Sequence, residues 1–156
     1  MRWEADTVVS GQGKSKACFV TLAERKTRYY IAIKMPDHKA KTMEDTVVAA
    51  LSQFPAELVK TITCDRGTEF TNWAKIEERL HGDVYLTDPY CAWQKGTNEN
   101  FNGLLREFCP KGRNLSRVSP NTLKRNLALI NARLRKVSGF HSAQELWDFE
   151  LAKCCT

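Results

Sequence analysis

The sequence predicts an α/β fold: a five-stranded mixed sheet, three antiparallel strands followed by two parallel ones, flanked by helices. Two observations predict it. Three runs rich in Val, Ile, Phe and Tyr, at Trp3 to Val9, Ala17 to Ala23 and Tyr29 to Met35, follow one another with short links, as in an antiparallel meander. After them the apolar residues change to helical spacing, and two further short strands alternate with helices.

The elements follow in order. Between Trp3 and Val9 the residues alternate, with Trp3, Ala5, Thr7 and Val9 on one side and Glu4, Asp6 and Val8 on the other. That is the pattern of a half-buried strand, with Asp6 projecting from the polar side. Gly11-Gln12-Gly13-Lys14 supplies a turn into the second strand. Thr42 followed by Asp45 predicts a helix cap, and Met43, Val47, Ala50, Leu51 and Phe54 recur at helical spacing as far as Pro55. Val59 to Cys64 is a strand that delivers Asp65 and Gly67 at its carboxyl end, where sites in open α/β sheets usually sit. Asn72 to Leu80 is a short helix, and Asp83 to Leu86 a strand closed by the turn Asp88-Pro89-Tyr90. A loop leads to a helix from about Asn98 to Phe108, ended by Pro110-Lys111-Gly112. Ser119-Pro120 opens another, expected to run to about Lys136, and Ser142 with Glu145 forms a capping box before a last helix through Leu151. This order fits a ribonuclease-H-like architecture.

At 156 residues the chain suits one domain with a sizeable core, and residues 1–156 are expected to form it. The first strand begins within a few residues of Met1, which predicts a larger protein cut just upstream. Hydrophobic residues make up 42% and charged residues 27%, which excludes disordered and membrane classes. No apolar run is long enough for a membrane span or a secretory signal, so a cytoplasmic protein is expected. A net charge of +6 makes a polyanionic partner plausible. None of the six cysteines is paired as C-x-x-C, so a zinc knuckle is not expected, and the thiols are read as buried or incidental.

The segment from Trp93 to Phe108 is the most informative. On a helix, Phe101, Leu104, Leu105 and Phe108 form one apolar stripe, while Glu99, Asn102, Gly103 and Arg106 share the opposite side. An acid, an amide, a gap and a guanidinium on one face suit a charged ligand. Mid-helix glycine costs about 1 kcal/mol relative to alanine. At Gly103 either the close approach of a nucleic-acid backbone or tight helix packing would account for it.

Two-metal phosphoryl transfer needs hard oxygen ligands that converge. Asp6 in the first strand, Asp65 at the end of another and Glu99 on a helix start are three acids that such a sheet can bring together.

These motifs resemble the superfamily of transposases and retroviral integrases that use two aspartates and a glutamate, and above all its bacterial insertion-sequence-30 branch. Trp3-Glu4-Ala5-Asp6-Thr7-Val8 resembles the first acidic strand, and Thr21 to Tyr29 the second and third strands. Thr63 to Phe70 and Gly96 to Gly103 resemble the second and third acidic motifs, with 33 residues, 66 through 98, between Asp65 and Glu99. The resemblance implies a ribonuclease-H-like catalytic core that has lost sight of an upstream helix-turn-helix region. It implies Asp6, Asp65 and Glu99 as catalytic residues and ligands of two Mg²⁺ or Mn²⁺ ions, cutting DNA and joining a 3′ hydroxyl to target DNA. Lys95, Asn98, Asn102, Arg106 and Lys111 are the expected DNA contacts, transposon ends and target DNA the expected partners, and a homodimer or larger synaptic assembly the expected state of the full protein in the bacterial cytoplasm, at the nucleoid. Arg66 departs from the retroviral pattern, which has Asn there. Two rivals are a catalytically silent DNA-binding module and a ribonuclease-H-like nuclease.

Several residues are left without a role. Glu69 is not one of the three acids, Asp88 is read as a turn residue, and His38, His81 and His141 lack metal spacing and are read as surface histidines. Trp93 can stack on a base or, the commoner use of a loop aromatic, anchor its loop to the core. Lys111, Arg113, Arg117, Lys124, Arg125, Arg133, Arg135 and Lys136 make a diffuse basic region suited to salt-dependent DNA affinity.

Overall fold

The computed structural model describes residues 1–155. β1 (Arg2–Val9), β2 (Cys18–Glu24) and β3 (Tyr30–Met35) form the expected meander. Then come α1 (Ala40–Ser52), β4 (Thr61–Cys64), α2 (Trp73–Leu80) and β5 (Asp83–Leu86). α3 (Gly96–Phe108), α4 (Pro120–Ala132), a small hairpin of β6 (Leu134–Arg135) and β7 (His141–Ser142), and α5 (Ala143–Cys154) complete the chain. The main sheet runs β3-β2-β1-β4-β5, and β4 lies parallel to both β1 and β5.

The alternating side chains of this sheet divide the core in two. Trp3, Val20, Leu22 and Ile62 face one layer with Met43, Leu51 and Trp147, where Trp147 stacks on Tyr29 and meets Trp3 edge-on. Val8, Phe19, Ala23 and Tyr30 face the other, with Phe101 and Leu105 of α3 and Leu123 and Ile130 of α4. Full burial of a Leu or Phe side chain contributes roughly 1.5–3 kcal/mol, so both faces hold the sheet in place. Among the described residues, no helix is long and apolar enough to cross a membrane.

Five expectations are corrected. β1 is not half-buried: as the middle strand with helices on both faces it buries Trp3, Glu4, Ala5 and Val8, while Val9 is exposed. Thr42 does not cap α1. Lys39 holds the cap position without a side-chain bond, and Asp37 Oδ1 instead accepts from Lys39 N–H and the Thr42 hydroxyl. α4 ends at Ala132, not near Lys136, because the next residues pair with β7 through a turn that carries Gly139 and Phe140 at positive φ. α3 begins two residues before Asn98, after a short 3-10 turn over Ala92–Lys95, and α5 outlasts Leu151 by a turn. The Ser142–Glu145 capping box is present in full.

Candidate active site

β1 and β4 are neighbours and parallel, with Glu4 opposite Thr63, so two residues further on Asp6 comes level with Asp65. α3 crosses the same face. The side chains of Asp6 and Asp65 converge on one cation, the ammonium of Lys95, whose Nζ lies 3.2 Å from Asp6 Oδ1 and 3.1 Å from Asp65 Oδ2. Lys95 is only 5% exposed. Burial works against its charge, yet the two carboxylates outweigh that and hold it above the ordinary lysine range.

Each aspartate is oriented by a second donor. Asp6 Oδ2 accepts from Asn102 Nδ2 at 3.2 Å, and Asn102 Oδ1 in turn accepts from the Tyr30 hydroxyl. Asp65 Oδ1 accepts from the Gly67 amide at 2.8 Å. Gly67 also leaves room for both carboxylates: a Cβ there would lie 2.3 Å from Glu69 Oε2 and 2.9 Å from Asp65 Oδ1 and would push them aside. Glu69 is buried, accepts from the Thr7 hydroxyl, and has His38 Nε2 3.4 Å from its Oε1. His38 keeps 38% of its side chain exposed, as expected of a surface histidine, while its Nε2 is turned inward beside Glu69. Arg66 reaches back to the Thr87 carbonyl and ties the Asp65 loop to the end of β5.

Glu99 stands in the first turn of α3, exposed, one helical turn before Asn102 on the same side. The third acid is thus on the helix that serves Asp6, but not gathered with the pair. Among the described residues, no three His, Cys, Asp or Glu side chains are grouped closely enough to hold a metal ion.

The expected DNA contacts fall into different places. Lys111 is exposed; Arg106 is partly buried and donates to the carbonyls of Val9 and Cys109. Asn102 and Lys95 turn to the aspartates. Asn98 is fully buried: its amide nitrogen donates to the carbonyls of Glu4 and Thr21, its Oδ1 accepts from the Thr21 hydroxyl, and its backbone N–H donates to Glu4 Oε2 at 2.7 Å. It pins α3 to β1 and β2 and faces no solvent. Trp93 does not anchor its loop, being 75% exposed. An added Cβ at Gly103 would meet nothing within 4 Å, so helix packing does not account for that glycine.

Sequence reasoning missed Glu4, a carboxylate 1% exposed whose pKa is raised by burial against the opposing pull of the Asn98 amide and Arg25. Alternation had put it on a polar face. The one available signal was its place in a strand that turns out to be central.

Sheet order and acidic centre together define the class, a ribonuclease-H-like α/β domain with one carboxylate within its middle strand β1 and another just past the end of the neighbouring β4. A model of the integrase core domain matches residues 1–92. The chain is 40% identical over 146 residues to a probable transposase for the insertion-like sequence element IS1161 of Streptococcus salivarius, covering 94% of this chain and 41% of that protein. It is 33% identical over 144 residues to the transposase InsI for IS30A of Escherichia coli K12, covering 92% and 37%. The catalytic core domain of bovine immunodeficiency virus integrase superposes with a TM-score of 0.72 at 16% identity, over 99% of this chain and 98% of that one. The chain belongs to the integrase core domain family. It spans about two fifths of the length of the curated relatives it matches.

Proposed function

We propose that this chain is the catalytic domain of a DNA transposase, which cuts a DNA strand by hydrolysis and joins the freed 3′ hydroxyl to target DNA. The observation that carries this is the convergence of Asp6 and Asp65, from adjacent middle strands, on a single cation position. The residues fit a divalent metal: the donors are hard carboxylate oxygens of the kind Mg²⁺ and Mn²⁺ prefer, and the place between them already holds a positive charge. Asp6, Asp65 and Glu99 are the residues that would hold two such ions. When bound, the ions supply a Lewis acid that activates water or a 3′ hydroxyl and steadies the leaving oxygen.

The chain's own groups have separate tasks. Asn102 fixes the rotamer of Asp6, and the Gly67 amide fixes that of Asp65. Lys95 neutralises the pair, and its ammonium lies between the same two carboxylates that would hold a metal. Arg106, Lys111 and the later basic residues supply positive charge along the strand's path. Pairing of two transposon ends calls for a dimer or larger synapse of the full protein, working at the nucleoid in the bacterial cytoplasm.

The test is nicking of supercoiled plasmid in Mn²⁺ and in EDTA. Wild type is expected to nick only with metal. Asp65→Asn keeps the Oδ1 acceptor for Gly67 but removes a ligand charge, so it should fold and yet lose more than about a hundredfold in rate, beyond the ten- to hundredfold that loss of an outer-shell partner costs. Equal nicking by the variant would remove Asp65 from the site, and metal-independent binding without nicking by wild type would favour the silent DNA-binding module.

A further inference from the structure

Residue 95 belongs to the acidic centre, and with residue 96 the chain enters a second cleft. It has a volume of about 430 Å³, and its walls include Glu4, Arg25, Arg28, Trp93, Thr97 and Arg135. The three guanidinium groups come from distant parts of the chain, two from the β2–β3 turn and one from β6.

Their charges are not balanced. Glu4 is the one acid among the lining residues; it is buried, bonded to the Asn98 amide and paired with Arg25 at 3.2 Å. Arg28 donates to a neutral group, the Thr97 hydroxyl, at 2.6 Å. It does so from a backbone φ of 66°, a strained conformation for a residue with a side chain. Arg135 lies 4.5 Å over the Phe101 ring, and its buried Nε and Nη2 have no hydrogen-bond partner. Burial first, then the neighbouring charges of Arg133 and Arg28, pull its pKa below the usual guanidinium range. Buried donors are nearly always satisfied, so two unpaired ones on a guanidinium with a second guanidinium nearby suit an anionic acceptor. The amino end of α3, of thirteen residues, adds its positive dipole at Gly96 and Thr97.

We propose that this cleft binds a phosphodiester group of the DNA strand that passes α3, with Arg28 and Arg135 as the anion-binding pair. This rests on the reading of the chain as a DNA-processing domain. It places a phosphate contact at Gly96 and Thr97, the residues that directly follow Lys95 in the chain, so the strand would be held beside the acidic centre.

The test uses a fluorescently labelled DNA duplex and anisotropy titrations without divalent ions, over a series of salt concentrations. The double variant R28Q/R135Q is expected to bind about tenfold more weakly at fixed salt, with the slope of log affinity against log salt smaller by about one. Thermal unfolding in sodium phosphate against sodium chloride at equal ionic strength is the second measurement. Phosphate should raise the Tm of wild type more than that of the double variant, and the single variant Arg135→Gln should show the same loss if the double one does not fold. An unchanged salt slope in the variant, with wild type binding DNA, overturns the proposal and leaves the transposase reading standing. A phosphate-specific shift in Tm without any change in DNA binding makes the cleft a small-anion site and also overturns it. Absence of DNA binding by wild type removes both.

Discussion

Lys95 shows how one side chain can stand in for an ion. Its stem is buried and its ammonium bridges Asp6 and Asp65, which without it would face each other as uncompensated like charges. Substitution Lys95→Met keeps the apolar stem and deletes the charge. The variant is expected to melt below wild type without metal, to bind Mn²⁺ about tenfold more tightly because no internal cation competes, and so to gain more Tm from Mn²⁺ than wild type does. Calorimetric titration with Mn²⁺ measures the affinity directly; equal affinities for both proteins would show that Lys95 does not compete. At this scale the sequence was only partly legible. The spacing of Asp6, Asp65 and Glu99 singled out the acids, because chemistry restricts residue type there. It could not separate a solvated lysine from one withdrawn from water, so Lys95 was expected on phosphate, and Asn98 was expected on DNA when its amide closes the core. Both burials have one cause the sequence hides: desolvation depends on neighbours from β1, β2 and the end of β4 that lie far away in the chain.

At the scale of elements, local chemistry decided what could be read in advance. β5 matches its expected span, and α5 opens on the expected residues, since a capping box satisfies two orphan N–H groups with contacts three residues apart. Ser142→Ala removes the Oγ acceptor of the Glu145 amide and should lower stability by about 1 kcal/mol. Urea unfolding checks this, and no change in midpoint would mean that α5 is held by Trp147 and its packing alone. The α4 boundary failed for the converse reason. Helical spacing continues past Ala132, but β6 finds its partner in β7 and the chain leaves the helix to pair with it, a tertiary preference that no window of α4 contains. β1 failed likewise: its alternation is real, but a middle strand covered on both faces buries Glu4 as fully as Trp3.

For the whole molecule, the core and the acidic centre are joined through the amino end of α3. Asn98 binds β1 and β2 through the backbone of Glu4 and Thr21, and one turn further along the same helix Asn102 binds Asp6. Glu99 sits between them. The helix cannot shift against the sheet without breaking the Asn98 bonds, so the position of Glu99 relative to Asp6 is set by a side chain bonded to neither. This makes a specific demand on Asn98→Ala. The change leaves two buried carbonyls and the Thr21 hydroxyl short of a partner, and stability should fall by roughly 1–3 kcal/mol. Metal-dependent nicking should fall as well, at temperatures far below the melting point, because α3 is free to move by fractions of an ångström against β1. The charge-cleft variants should behave in the opposite way, with DNA affinity reduced and the unfolding midpoint nearly kept. Urea unfolding and plasmid nicking on the same preparations separate the two. If Asn98→Ala lost stability but nicked at the wild-type rate, the helix would be positioned by its apolar stripe alone, Phe101 on Tyr30 with Leu105 beside it, and the amide lock would serve the fold without serving the site.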